Sequence, residues 1–154
     1  MAKINIGDLA PDFELLNQDG HPVRLADYLG KKNIVLYFYP KDETPGCVKE
    51  ACGFRDSYED FLAAGAEVVG VSADSVDSHK AFQYNRRLPF QLLSDPGNKL
   101  SKKYGVTASL MGFLPGRETF VIGKTGRVLH HFSSHFQIDG HITEALNVLK
   151  TAPE

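Results

Sequence analysis

The feature that most constrains the fold is NIVLYFYP at positions 33–40, an almost unbroken apolar and aromatic run. Such a run is typical of a central strand that is buried on both faces. Pro40 should end the strand, because proline has no N–H to donate to a neighbouring strand. We therefore expect the core of the protein to form around this segment.

The order of the other segments predicts an α/β domain. DFELL and PVRL indicate an N-terminal hairpin, and apolar residues recur at helical spacing from Thr44 to Gly65. The pattern thus predicts a thioredoxin-like fold, with a mixed central sheet flanked by helices and an additional N-terminal β-hairpin. The later segments are, in order, the strand AEVVGVSAD (66–74), the helix SVDSHKAFQYNRR with Ser75 as N-cap, the strand FQLLSD, the helix NKLSKKYG, the strand pair ETFVIG and GRVLHHF, and the helix IDGHITEALNVLK.

Composition excludes some classes of function. The 154 residues suit one domain spanning residues 1–154, with 42% hydrophobic and 23% charged residues. A formal net charge of -2 argues against a nucleic-acid partner. The sequence contains no signal-peptide core and no stretch of membrane-spanning length, so we expect no membrane partner and a cytoplasmic location.

Cys47 is the first of two cysteines and lies where a helix should begin. Thr44 is a good N-cap and Pro45 suits the first helical position, so Cys47 becomes the third helical residue. Unpaired N–H groups and the positive end of the helix dipole favour a thiolate there, which is the nucleophilic form of cysteine. An inert thiol packed in the first turn is the alternative, and the spacing alone does not decide between them.

Cys52 follows five positions later. In an intact helix, the two Cα atoms would be roughly 8–9 Å apart and about 140° apart around the axis. A disulfide requires Cα atoms about 4.4–6.8 Å apart. Either the two cysteines never pair, or the first turns of the helix unwind when they do.

The segment YFYPKDETPGCVKEACGFRD resembles the active-site segment of peroxiredoxins, and specifically the peroxiredoxin Q/bacterioferritin comigratory protein group. The family pattern P-x-x-x-T-x-x-C is met by Pro40, Thr44 and Cys47. Further matches extend along nearly the whole chain: GDLAPDF, GAEVVGVSADSVDSHKAF, LPFQLLSDPGNKLSKKYGV and GRETFVIGKTGRV. Val48, Lys49 and Gly123 depart from the usual pattern, which leaves the preferred hydroperoxide open.

The resemblance implies roles for individual residues. Cys47 would be the nucleophile that attacks the peroxide, and Cys52 the cysteine that resolves its sulfenic acid. Thr44 would hydrogen-bond the thiol and the peroxide, and Pro40 would shield the pocket from water. Arg117 would lower the thiol pKa and stabilise the leaving oxygen.

The same resemblance implies a catalytic cycle. An intramolecular disulfide would be reduced by thioredoxin or a similar dithiol protein, without a cofactor or metal, in a protein that works as a monomer. Glu50 matches a polar position near the family's site, although it could equally be solvated. A general disulfide reductase and a redox-switched binding module remain the alternative functions.

Two histidine-containing groups are candidate metal sites. His130 and His131 should point to opposite faces of a strand, so at most one of them could join His135. Asp74, Asp77 and His79 fit helix capping and solvated charge better than a ligand set. The sequence therefore predicts no metal site.

Overall fold

The computed structural model describes residues 4–106, 116–134 and 137–151. Its elements follow the order expected for an α/β fold. The strands are β1 (Glu14–Leu16), β2 (Pro22–Arg24), β3 (Asn33–Phe38), β4 (Ala66–Ser72), β5 (Gln91–Ser94), β6 (Glu118–Ile122) and β7 (Val128–Ser133). The α-helices are α1 (Pro45–Asp56), α2 (Tyr58–Ala63), α3 (Val76–Arg86), α4 (Lys99–Lys103) and α5 (Ile138–Thr151), and short 3-10 turns cover Leu25–Asp27 and Pro96–Asn98.

The seven strands form one mixed sheet in the order β2-β1-β5-β4-β3-β6-β7. Strands β3, β4 and β5 are parallel, whereas β1, β2, β6 and β7 add antiparallel edges. This confirms the predicted thioredoxin-like architecture with its N-terminal hairpin. The apolar run at 33–40 supplies the strand between β4 and β6, as its burial pattern predicts.

Hydrophobic clusters cover both faces of the sheet. Because successive strand residues point to opposite faces, Tyr37 joins the cluster under α1 while Phe38 joins the other. Tyr37 also stacks on Phe54 of α1, with ring centroids 4.5 Å apart. This packing fixes α1 on the sheet.

The register of β3 and β6 brings distant parts of the sequence together. Phe38, the last residue of β3, lies opposite Glu118, the first residue of β6. The loop that follows β3 and the residue that precedes β6 therefore meet at the same edge of the sheet. Arg117 and Cys47 come into contact in this way, although 70 residues separate them.

One predicted helix is interrupted. The apolar periodicity from Thr44 to Gly65 indicated a single helix, but α1 ends at Asp56 and α2 begins at Tyr58. Ser57 leaves the helical conformation between them (φ -103°, ψ 7°). Serine competes for backbone hydrogen bonds and so weakens helices, an effect that hydrophobic periodicity does not register.

Candidate active site

The start of α1 has the local structure that the sequence predicts. Thr44 is the extended N-cap residue, Pro45 is the first helical residue and Cys47 the third. The Val48 N–H donates to the Thr44 carbonyl at 2.8 Å, closing the first turn. The Thr44 hydroxyl does not cap the helix, because it donates to the Lys41 carbonyl at 2.8 Å instead.

Cys47 is almost fully buried, with 1% of its surface exposed, and it belongs to the apolar cluster beneath α1. Burial raises the pKa of the Cys47 thiol, and Arg117 and Thr44 oppose this without reversing it. The sequence left a thiolate and an inert packed thiol as alternatives for Cys47; burial favours the neutral form, whereas Arg117 favours the anion. Desolvation of the anion outweighs the neighbouring positive charge.

Arg117 nevertheless lies against the sulfur. Its Nη1 is 3.5 Å from Cys47 Sγ and 2.7 Å from Glu50 Oε1, and the side chain is buried. A Cβ atom at Gly46 would lie 2.9 Å from Arg117 Nη2. A glycine before the cysteine therefore permits this approach, and Arg117 is buried although loop arginines are usually exposed.

Glu50 is fully buried and bonded to Arg117, so it is not the solvated side chain that was the alternative reading. Burial raises the pKa of Glu50 to about 7, against the opposing effect of Arg117. Glu50 Oε2 lies 3.6 Å from Nδ1 of His141, which is also buried. The sequence reasoning missed His141, although a histidine on the apolar face of α5, beside Ile142 and Ala145, was a usable signal.

The remaining predicted residues lie nearby along the chain. Cys52 is half-buried on α1, both cysteines are free thiols, and the continuous helix separates them as the geometry requires. Pro40 lies in the loop between β3 and α1 and is half-buried. The catalytic roles of Cys47, Cys52, Thr44, Pro40 and Arg117 stay predictions. Lys49 is exposed and forms a surface ion pair with Asp139 at 3.8 Å.

A second buried carboxylate holds the loop before α1. Asp42 accepts hydrogen bonds from Tyr39 Oη at 2.6 Å and Ser78 Oγ at 2.8 Å, and its Oδ2 lies 2.7 Å from His79 Nδ1. His79 Nε2 donates to the Leu93 carbonyl at 2.9 Å. The prediction that His79 belongs to a solvated cluster is therefore wrong.

Asp42, Asp74 and His79 place possible metal-ligand atoms within 4.8 Å of one another. These atoms are already used in hydrogen bonds, since Asp74 Oδ2 accepts from the Asp42 N–H at 2.8 Å and from Ser72 Oγ at 2.6 Å. Both nitrogens of His79 face protein acceptors. The group is better explained as a hydrogen-bonded clamp on the loop.

The other histidines follow the strand alternation. His130 faces α5, with Nε2 3.2 Å from Glu144 Oε1, while the His131 ring packs near Phe120 on the opposite face. His135 lies outside the described residues. In the described part of the chain, no helix is long and apolar enough to cross a membrane.

Comparison with known proteins adds an independent line of support. The model of the AhpC/TSA family matches residues 6–131. Peroxiredoxin Q, chloroplastic, of Sedum lineare is 54% identical over 97% of this chain and 80% of its own length, and that of Arabidopsis thaliana is 56% identical over 98% and 69%. These chloroplastic relatives do not support the predicted cytoplasmic location.

Solved structures give the same result. Peroxidoxin BcpB from Mycobacterium tuberculosis matches with a TM-score of 0.90 and 40% identity, over 98% of this chain and 99% of that chain. A peroxiredoxin Q mutant from Xylella fastidiosa matches with a TM-score of 0.87 and 34% identity, over 97% of this chain and 98% of that chain. The chain therefore belongs to the AhpC/TSA family, within its peroxiredoxin Q/bacterioferritin comigratory protein group.

Proposed function

We propose that the protein reduces hydrogen peroxide and organic hydroperoxides through Cys47, with Cys52 closing the cycle and a thioredoxin-type dithiol protein restoring the thiols. One observation carries the proposal: the Cys47 sulfur lies in the first turn of α1 with Arg117 Nη1 3.5 Å away. A guanidinium at this distance favours the thiolate and can stabilise negative charge on a leaving oxygen. Membership of a peroxidase family supports the same reaction.

In the first step, the thiolate attacks one peroxide oxygen and the O–O bond breaks. The sulfur is oxidised to a sulfenic acid, while the other oxygen leaves as an alkoxide or hydroxide and takes up a proton. Burial opposes ionisation of Cys47, so the reactive fraction depends on how strongly Arg117 acts on the sulfur. Thr44, whose side-chain hydrogen bond also lowers the Cys47 pKa, is placed to assist.

In the second step, the Cys52 sulfur attacks the sulfenic sulfur, a disulfide forms and water leaves. The step requires α1 to unwind between the two cysteines, because an intact helix holds them too far apart. Thiol–disulfide exchange with a reduced dithiol protein then returns both thiols. Both cysteines of the cycle belong to one chain, and their disulfide is intramolecular, which is compatible with a working monomer.

Single-cysteine variants test the proposal. Cys47→Ser should abolish peroxide reduction, whereas Cys52→Ser should form the sulfenic acid at an unchanged rate and fail to turn over with thioredoxin. Stopped-flow oxidation of the reduced proteins, with mass measurement of the products, separates the two steps. Normal thioredoxin-driven turnover by Cys52→Ser would contradict the resolving step, and stoichiometric oxidation without turnover in the unaltered protein would favour a redox switch.

A further inference from the structure

Four buried ionisable side chains form a continuous row that begins at the candidate nucleophile. Arg117 Nη1 contacts Cys47 Sγ at 3.5 Å and Glu50 Oε1 at 2.7 Å. Glu50 Oε2 in turn lies 3.6 Å from His141 Nδ1. The last member of this row belongs to α5 and has no part in the peroxidase cycle described above.

The imidazole of His141 is held in a defined orientation. Its Nε2 donates to the Ser134 carbonyl at 2.8 Å, and its Nδ1 lies 2.8 Å from Thr119 Oγ1. The Phe132 ring packs edge-on against it, with centroids 4.9 Å apart. The Ser134 N–H donates to the Arg117 carbonyl at 3.3 Å, so the segment that orients His141 also contacts the backbone of Arg117.

We propose that His141 is a positioning residue of the Cys47 site, which shares a proton with Glu50 and so controls how strongly Arg117 acts on the Cys47 sulfur. This role rests on the proposed function, because it concerns the reactivity of the same thiol. The contact of His141 within this row is with Glu50, at 3.6 Å from Nδ1 to Oε2. His141 acts through this carboxylate.

The reason is charge balance in a buried site. An ionised Cys47 and an ionised Glu50 would set two negative charges against the single positive charge of Arg117, and an unbalanced buried charge is costly. One proton on this pair restores balance, whether it lies on Glu50 Oε2 or on His141 Nδ1, 3.6 Å away. Because the proton has two sites, the pair retains it to a higher pH than Glu50 alone would.

Other charged groups on the elements that pack against His141 are less well placed. Across the interface from α1, Lys49 pairs with Asp139 near solvent. On β7, His130 faces Glu144 of α5, farther along that helix. Strand alternation directs Glu118 to the opposite face of β6 from Thr119. Of these groups, Glu50 is the one that links His141 to Arg117 and so to Cys47.

His141→Gln is the direct test, because glutamine can keep the donor to the Ser134 carbonyl while removing Nδ1. The measurement is the pH midpoint of Cys47 alkylation in the reduced Cys52→Ser background, which needs no peroxide. We expect the midpoint to rise by about one unit, the size of shift that one neighbouring charge produces. His130→Gln, which alters a histidine that also faces α5, is the matched control and should leave the midpoint unchanged.

A double variant tests whether the effect passes through Glu50. Glu50→Gln alone should leave the midpoint near that of the unaltered protein, because glutamine, like the pair that shares one proton, adds no net charge beside Cys47 and still offers Arg117 an acceptor. Adding His141→Gln to Glu50→Gln should then produce no further shift. The same upward shift in both backgrounds, or none in folded His141→Gln, would overturn the proposal.

A second measurement covers the possibility that His141→Gln does not fold. The ¹⁵N resonances of the His141 ring should change with pH in the otherwise unaltered protein and lose that dependence in Glu50→Gln, and identical titrations would overturn the proposal.

Peroxide consumption is followed in the same samples. Failure of the unaltered protein to consume peroxide would refute the proposed function, whereas the alkylation and NMR results judge the role of His141 separately.

Discussion

Two buried carboxylates, one before and one after Cys47 in the chain, each face a buried histidine. The two pairs differ in how many hydrogen bonds the carboxylate accepts. Before Cys47, Asp42 faces His79 with 2.7 Å between Oδ2 and Nδ1. After it, Glu50 faces His141 with 3.6 Å between Oε2 and Nδ1. All four side chains are buried, so burial alone does not distinguish the pairs.

The first pair is saturated with hydrogen bonds. Both oxygens of Asp42 are used, by Tyr39 on one side and by Ser78 and His79 on the other. By contrast, Glu50 Oε2 has no hydrogen-bond partner within the described residues. A carboxylate with all its hydrogen bonds made, such as Asp42, holds the loop between β3 and α1 in one shape. A carboxylate with a free oxygen, such as Glu50, can gain or lose a proton without breaking such bonds.

The largest expected effect is on the saturated pair. Asp42→Ala leaves Tyr39, Ser78 and His79 without their buried acceptor, so we expect unfolding free energy to fall by about 3–5 kcal/mol. Urea unfolding of the reduced protein measures this. Asp139→Ala, which removes an exposed acidic partner, is the control and should cost at most about 1 kcal/mol. A loss from Asp42→Ala no larger than the control would show that Asp42 does not clamp the loop.

Glu50→Gln should change how the free energy of unfolding depends on pH, rather than lower that free energy equally at every pH. Burial raises the pKa of Glu50 from its ordinary value of 4.5 to about 7, so the folded state holds this proton more tightly than the unfolded chain does. The resulting stabilisation of the folded state is fully present below about pH 4.5 and is lost as the pH rises through about 7. Over this window, the unaltered protein should lose up to about 3 kcal/mol relative to Glu50→Gln.

Urea unfolding of both reduced proteins at several pH values between 4.5 and 7.5 tests this. Asp42→Asn, measured over the same pH range, provides the comparison for the Asp42–His79 pair. Parallel stability curves for the unaltered protein and Glu50→Gln would contradict the adjustable charge of Glu50.

The sequence predicted the fold well, because the strands and helices are specified by local patterns. The apolar run before Pro40 and the N-cap at Ser75 are such patterns, and the Ser78 N–H does donate to Ser75 Oγ at 3.1 Å. The helix predicted from Thr44 to Gly65 was wrong only at its interruption by Ser57. At Ser57, the helical spacing of apolar residues continues in the sequence although the backbone leaves the helical conformation.

The site was only partly predictable from the sequence. The resemblance identified Cys47 and Arg117, and the structure does bring them together. It pointed to Glu50 but not to His141, because these two side chains meet only through the packing of α1 on α5. The balance of effects on the Cys47 pKa was not predictable for the same reason: the helix start was visible in the sequence, whereas the degree of burial was not.

The variants with the smallest expected effects compare the two pairs most directly, because each pair contacts a serine or threonine hydroxyl that can be removed. Ser78→Ala deletes the donor to Asp42 Oδ2, and Thr119→Val deletes the hydroxyl 2.8 Å from His141 Nδ1. Each should lower unfolding free energy by about 1 kcal/mol, the usual net value of one hydrogen bond. Only Thr119→Val should also move the pH midpoint of Cys47 alkylation, because it alters the Nδ1 environment that Glu50 shares. If Ser78→Ala moved the midpoint equally, the two pairs would not differ in function, and the distinction between a fixed and an adjustable carboxylate would fail.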